Sequence, residues 1–129
     1  MGDFKRLVAW QKAHAFALAV HAAFKGTKSH VSPGFRAQIL RAVNSIGDNL
    51  AEGCAKRSRR ELARQADAAY ASSKEVENDL IKAYALKILG RVVFEDLIRQ
   101  SDEVSRLCFG LSRIRTRRDD DPWPPEQQV

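Results

Sequence analysis

Proline and glycine are scarce in this 129-residue chain, at four and seven, and there are only two cysteines. So few chain breakers leave room for long uninterrupted helices. Cys54 and Cys108 are too few for a disulfide framework and have no CxxC spacing, so they read as buried or idle thiols of a reducing cytosol. No segment alternates apolar and polar residues over strand length, which argues against a sheet. A long apolar run is missing too. The N-terminal stretch MGDFKRLVAWQKAHAFALAVHAAFKG is broken by Gln11, Lys12, His14 and His21, so it is amphipathic, unlike a signal peptide, and too short to span a bilayer. Arg6 stands where an N-myristoylation signal needs Ser or Thr. The expectation is a cytoplasmic protein with no membrane partner.

The usual catalytic patterns are also missing. A di-iron site in a helical bundle needs Glu-x-x-His on paired helices, and the chain has none. There is no Gly-x-Ser-x-Gly elbow and no glycine-rich loop after a strand. Asp48 with Glu52, and Glu75 with Asp79, are carboxylate pairs one helical turn apart that could share a metal, but without histidines nearby in sequence they read better as surface or capping residues. His14 and His21, seven residues apart on one face, make a poor metal site and read as core-edge or interface residues. Cys54 lies close to Lys56 and Arg57, which could lower its pKa, but no base accompanies it. No catalytic, metal-binding or cofactor-binding residue is assigned, and the chain reads as non-enzymatic.

What the chain does contain is apolar residues at helical spacing and an excess of positive charge. Its length suits one domain with its own core. The net charge is +6, but the segment from Asp119, DDDPWPPEQQV, holds four acids and no base; without it, 22 basic residues face 12 acidic ones, a body near +10. Such a body attracts nucleic acid, anionic lipid or an acidic protein. The expected organisation is a bundle over residues 1–118 and an acidic, proline-rich tail over 119–129, disordered or peripheral.

The apolar spacing predicts four helices. The first runs from about Phe4 to Phe24 with Asp3 as N-cap, and carries two stripes. One is Phe4, Leu7, Gln11, His14, Leu18 and Ala22; the other is Trp10, Ala13, Ala17, Val20 and Phe24. Two stripes suggest more than one neighbour, hence an oligomer. Gly26 to Val31 is the expected loop. Ser32-Pro33 opens the second helix, which buries Phe35, Ile39, Val43, Ile46 and Leu50 and ends near Gly53. Ser58-Arg59-Arg60-Glu61 is a capping box for the third, whose seam is Leu62, Ala66, Ala69, Ser73, Val76, Leu80 and Ala83, with Gly90 as its C-terminal cap. The fourth, from about Val92 to Arg115, buries Val93, Leu97, Val104, Leu107, Leu111 and Ile114. The fold class is all-α, an antiparallel up-down four-helix bundle.

The stretch SIGDNLAEGCAKRSRRE, from Ser45 to Glu61, concentrates the functional signal. Gly47 inside a helix costs about 1 kcal/mol against alanine, so it is expected under a crowding neighbour. Gly53 is expected to supply the left-handed turn that stops the helix. Lys56, Arg57, Arg59, Arg60 and Arg64 then surround a reversal against a single acid, Glu61. Arg59 and Arg60 sit where the helix dipole disfavours cations, a cost without structural gain that points to an outside anion. With Arg41 they form the candidate phosphate-binding set: Arg41, Lys56, Arg57, Arg59, Arg60 and Arg64. A solvated turn kept soluble by its charge is the competing account. Few aromatics flank the turn in sequence, so base stacking is not indicated.

Two motifs carry a resemblance. Phe4-Lys5-Arg6-Leu7-Val8-Ala9-Trp10-Gln11-Lys12-Ala13 is one. The other is Gln38-Ile39-Leu40-Arg41-Ala42-Val43-Asn44-Ser45-Ile46 followed by Asn49-Leu50-Ala51-Glu52-Gly53. Together they resemble the four-helix bundle family first described from intervening sequences in bacterial 23S rRNA genes, over roughly Asp3 to Arg115. The accessory variability protein of diversity-generating retroelements is similar. The resemblance implies a homopentameric barrel of four-helix protomers with a basic surface. In the retroelement branch that surface binds nucleic acid (RNA or DNA) and a reverse transcriptase. Gly47 stands where the family often has proline, which should alter the helix only locally, and the acidic tail departs from the pattern. The expectation is an oligomeric accessory protein that binds nucleic acid through phosphates; the alternative is a scaffold that docks a polymerase or another acidic protein.

Overall fold

A computed structural model describes residues 3–25 and 31–114. They form a 3-10 turn, Phe4–Arg6, and four α-helices: α1 (Val8–Lys25), α2 (Pro33–Ala55), α3 (Arg59–Ala85) and α4 (Arg91–Ser112). No strand occurs among the described residues. Residues 26–30 of the expected loop, and residues 115–129, which hold the expected end of the fourth helix at Arg115 and the expected tail over 119–129, lie outside them.

Contacts along the helices fix their directions. Trp10 lies over Gly47 and Phe24 meets Phe35, so α2 runs back along α1. Ser45 bonds Ser72 while Gln38 bonds Asp79, so α3 reverses again. Tyr70 meets Phe109 and Tyr84 meets Phe94, so α4 is antiparallel to α3. The ring closes where α4 packs on α1, as at Lys12 and Glu103, 3.5 Å apart. This is an up-down four-helix bundle.

The core lies where helical periodicity places it. Ile39, Val43, Ile46 and Leu50 of α2 are buried, and so is every residue of the expected α3 seam from Leu62 to Ala83. On α1 the stripe that includes Ala13, Val20 and Phe24 faces inward, joined by Phe16, while Gln11, His14, Leu18 and Ala22 are exposed. Beyond the buried Leu7, the stripe of Gln11, His14, Leu18 and Ala22 is thus a surface. Ser73 and Ser105 share a hydrogen bond of 2.7 Å inside the α3–α4 seam, so these buried hydroxyls satisfy each other.

Several boundaries differ from expectation for identifiable reasons. Asp3 caps the 3-10 turn through the Lys5 amide, not an α-helix, and Leu7 is extended (ψ 122°) as its side chain enters the core; α1 starts one residue later. Gly53 is helical, and the left-handed residue that reverses the chain after α2 is Arg57, φ 57°. Likewise Lys87, φ 63°, takes the left-handed conformation after α3, while Gly90 is the N-cap residue of α4. Val93 is 44% exposed, whereas its neighbour Phe94 packs against the core and stacks on Tyr84. Ser58 accepts the Glu61 amide hydrogen bond at 3.3 Å, but the Glu61 carboxylate turns to Arg64, so one half of the capping box forms.

Candidate nucleic-acid interface

An up-down bundle gathers alternate helix ends. The start of α1, the end of α2, the start of α3 and the end of α4 therefore share one end of the molecule. The α2–α3 turn lies there, two residues past Ala55, with Ser58 fixing the first turn of α3. Lys56, Arg57 and Arg60 are exposed on it. Arg64 binds the Glu61 carboxylate at 2.7 and 3.2 Å. Arg64, then Lys56 and Arg60, hold the Glu61 carboxyl below its usual range, so one acid sits within a field of three cations. Arg57 adopts a backbone conformation that non-glycine residues avoid, at about 1–2 kcal/mol.

Two residues of the expected set do not belong on this surface. Arg59 is only 7% exposed: it lies three and four residues before the buried Leu62 and Ala63, on the same core-facing stripe of α3. Its Nε is buried without a hydrogen-bond partner, and the aliphatic stem covers the end of the core. Arg41 is exposed on α2 but lies fifteen residues before Lys56, about 22 Å along the helix. Sequence reasoning also missed Lys5 and Arg6 on the 3-10 turn, and Arg113 at the end of α4, which the up-down topology brings to the same end. Counting charge by helix end, not along the chain, would have found them.

The thiol beside this turn is not exposed. Burial, with a smaller contribution from the charge of Asp3, pushes Cys54 up to about 11, against the lowered pKa expected from Lys56 and Arg57. Both cations point to solvent while the sulfur points inward. Burial raises Cys108 further, to about 12. Nor can Glu75 and Asp79 share a metal: Glu75 is exposed, whereas Asp79 is buried and accepts from Gln38 Nε2 at 3.3 Å on both oxygens. His14 and His21 are exposed: His14 stacks on Trp10 at 4.8 Å and His21 bonds Asn44 at 3.0 Å. No helix among the described residues is long and apolar enough to cross a membrane.

The opposite end is different in kind. Ile81, Leu86 and Val92 are 50, 61 and 77% exposed around the α3–α4 turn. Lys82, Lys87 and Arg91 rim this apolar tip.

The sequence model of the family described as 23S rRNA-intervening sequence protein matches residues 5–110. A crystal structure of a protein with unknown function from the S23 ribosomal protein family of Bacteroides thetaiotaomicron VPI-5482 superposes with a TM-score of 0.72. It is 23% identical, and the match covers 81% of this chain and 98% of that one, a likeness that shows the fold. No curated protein matches.

Proposed function

The chain belongs to the 23S rRNA-intervening sequence protein family, and we propose that it is a non-enzymatic, oligomeric accessory protein that binds nucleic acid by its phosphates. The observation that carries this reading is the end of the bundle where Lys56, Arg57 and Arg60 are exposed together with Arg6 and Arg113. Two of these cations sit there at a cost to the fold. Arg57 holds an unfavourable backbone conformation, and Arg60 sits near a helix N-terminus whose dipole repels it. A phosphate there would satisfy both the dipole and the side chains. It would position a nucleic acid without reading its sequence. The outward stripe of α1, including Leu18 at 58% exposure, supports assembly into a ring such as a pentamer, which would repeat the basic end around an axis. The working compartment under this reading is the cytoplasm.

The apolar tip around Leu86 and Val92 favours a second reading, a scaffold that docks an acidic protein such as a polymerase or reverse transcriptase. A titration with duplex DNA and with RNA at two salt concentrations, with the mass followed by light scattering, separates the readings. Phosphate binding gives an affinity that falls steeply with salt. An oligomer without salt-sensitive binding to either nucleic acid leaves the scaffold, and a monomeric mass rejects the ring.

A further inference from the structure

We propose that the outer groove between α3 and α4 takes an unpaired pyrimidine of a single-stranded nucleic acid, held against Phe109 and Tyr70. The proposal rests on the phosphate-binding reading above and adds to it a preference for single strands.

Phe109 is 46% exposed on α4, too open for its ring to serve the core alone. Its ring centroid lies 5.6 Å from that of Tyr70 across the α3–α4 seam, with the planes tilted by 53°. Cations flank both rings: Lys74 Nζ is 5.6 Å from the Tyr70 centroid, and the Arg113 guanidinium carbon is 5.4 Å from that of Phe109. The rings open onto a groove of about 180 Å³ that Lys74, Asp102, Ser105 and Arg106 complete. A cavity of about 150 Å³ admits benzene, so the groove has room for one six-membered ring.

The polar wall suits a base and its phosphates. Lys74 is paired with Glu77 at 3.1 Å, and Arg106 with Asp102. Both pairs are exposed, and exposed ion pairs contribute little, so either cation can turn to a phosphate at little cost. Once released by Arg106, the Asp102 carboxylate is an acceptor of the kind that pairs with the exocyclic amine of cytosine. Arg113 links the groove to the basic end, because it follows the last turn of α4 where the α2–α3 turn also lies. A strand whose phosphates rest on Arg57 and Arg60 can therefore place a base on Phe109. A duplex keeps its base faces stacked and cannot offer one, whereas a single strand exposes π faces that stack on aromatic side chains whatever the base, so the preference for a pyrimidine comes from the size of the groove and from Asp102.

The test uses the full chain, labelled oligocytidylate in RNA and DNA form, oligoadenylate, and a duplex of equal length, each across the same series of salt concentrations. Tyr70→Leu with Phe109→Leu keeps apolar volume and removes the π faces. Single-strand affinity should fall about 5- to 150-fold, the equivalent of one stacked base, while duplex affinity and the salt slope stay unchanged. Phe109→Leu alone, at a half-exposed position, keeps the test open should the double variant not fold. Unchanged single-strand binding, or an equal weakening on the duplex, overturns the stacking site and leaves phosphate binding standing. Tighter binding of oligoadenylate than oligocytidylate overturns the pyrimidine fit. A variant that changes the oligomeric mass assigns the aromatic pair to an interface between copies instead. Wild-type protein that binds no strand in a salt-dependent way removes both readings together.

Discussion

Gly53 of α2 and Leu62 of α3 approach so closely that a Cβ on the glycine would lie 3.2 Å from the Leu62 Cα and 3.1 Å from its Cδ1. The two helices meet here immediately before and after the basic turn, so their approach sets how the turn is presented. At Gly47 the corresponding atom would meet only the Trp10 indole, at 3.4 Å, an ordinary separation. The tight crossing is therefore at Gly53, and Gly47 is a helical glycine with room beside it.

Alanine at the two positions should have opposite effects. Gly47→Ala gains helix propensity of about 1 kcal/mol and should raise the melting temperature by a few degrees. Gly53→Ala gains the same propensity but must push against backbone, and overpacking of this kind costs about 1–3 kcal/mol, so its melting temperature should fall. Thermal unfolding of both variants by circular dichroism checks the pair; a stabilised Gly53→Ala would mean that α2 and α3 can part at no cost.

Arg59 should contribute to the end of the core and nothing to polyanion binding. Arg59→Met keeps the stem over Leu62 and Ala63 and removes a buried Nε that has no partner. Stability should hold or rise, by up to about 1 kcal/mol, since a buried group left unpaired is costly. The salt dependence of nucleic-acid binding should match wild type. A flattened slope in Arg59→Met would return this residue to the binding surface.

The bundle was legible because each of its signals is local. The seam of α3 repeats every three or four residues over six turns, so Leu62 to Ala83 could be assigned without any partner in view. Caps made by a side chain, as at Ser32 and Ser58, are also written in a few adjacent residues. What escaped depends on tertiary context. Nothing in the sequence says that the reversals would use Arg57 and Lys87 in the left-handed region when Gly53 and Gly90 stand close by. The burial of Arg59 follows from its phase on the α3 stripe, but its charge hid that phase. The aromatic pair Tyr70 and Phe109 is separated by nearly forty residues and becomes visible only when α3 and α4 are laid side by side. Arg113 joined the basic end for the same reason.

Asp79 makes the fold sensitive to acid in an unusual direction. Burial raises its pKa, only partly opposed by Lys82 and by the Gln38 hydrogen bonds. The native state thus holds a proton here more readily than the unfolded chain does. The charged form weakens the fold at neutral pH, and this penalty is relieved as pH falls through the raised native pKa towards the ordinary value of 3.8. Asp79→Asn, which still offers Gln38 an acceptor, should melt higher than wild type at pH 7. The difference should shrink as pH falls through that window. A constant difference across pH would show that ionisation of Asp79 is not its source.

The decisive variant changes only cations exposed on the α2–α3 turn, Lys56, Arg57 and Arg60 together to alanine. For every phosphate that the variant no longer neutralises, the plot of log affinity against log salt should flatten by about 0.9 on duplex DNA and about 0.7 on single strands. All sequences should weaken alike, because pairing with phosphate carries no base information. Ser58 still caps α3 and Gly53 still meets Leu62, so the helix content should survive. Arg57→Gly adds a sharper contrast, since glycine adopts a φ of 57° without strain and should stabilise the fold by about 1 kcal/mol. If the turn exists to hold phosphate, that variant melts higher and binds more weakly, a residue kept for an anion at the expense of stability. Arg57→Gly that melts higher and binds as tightly as wild type would reduce the turn to a solvated reversal, and the scaffold reading would take its place.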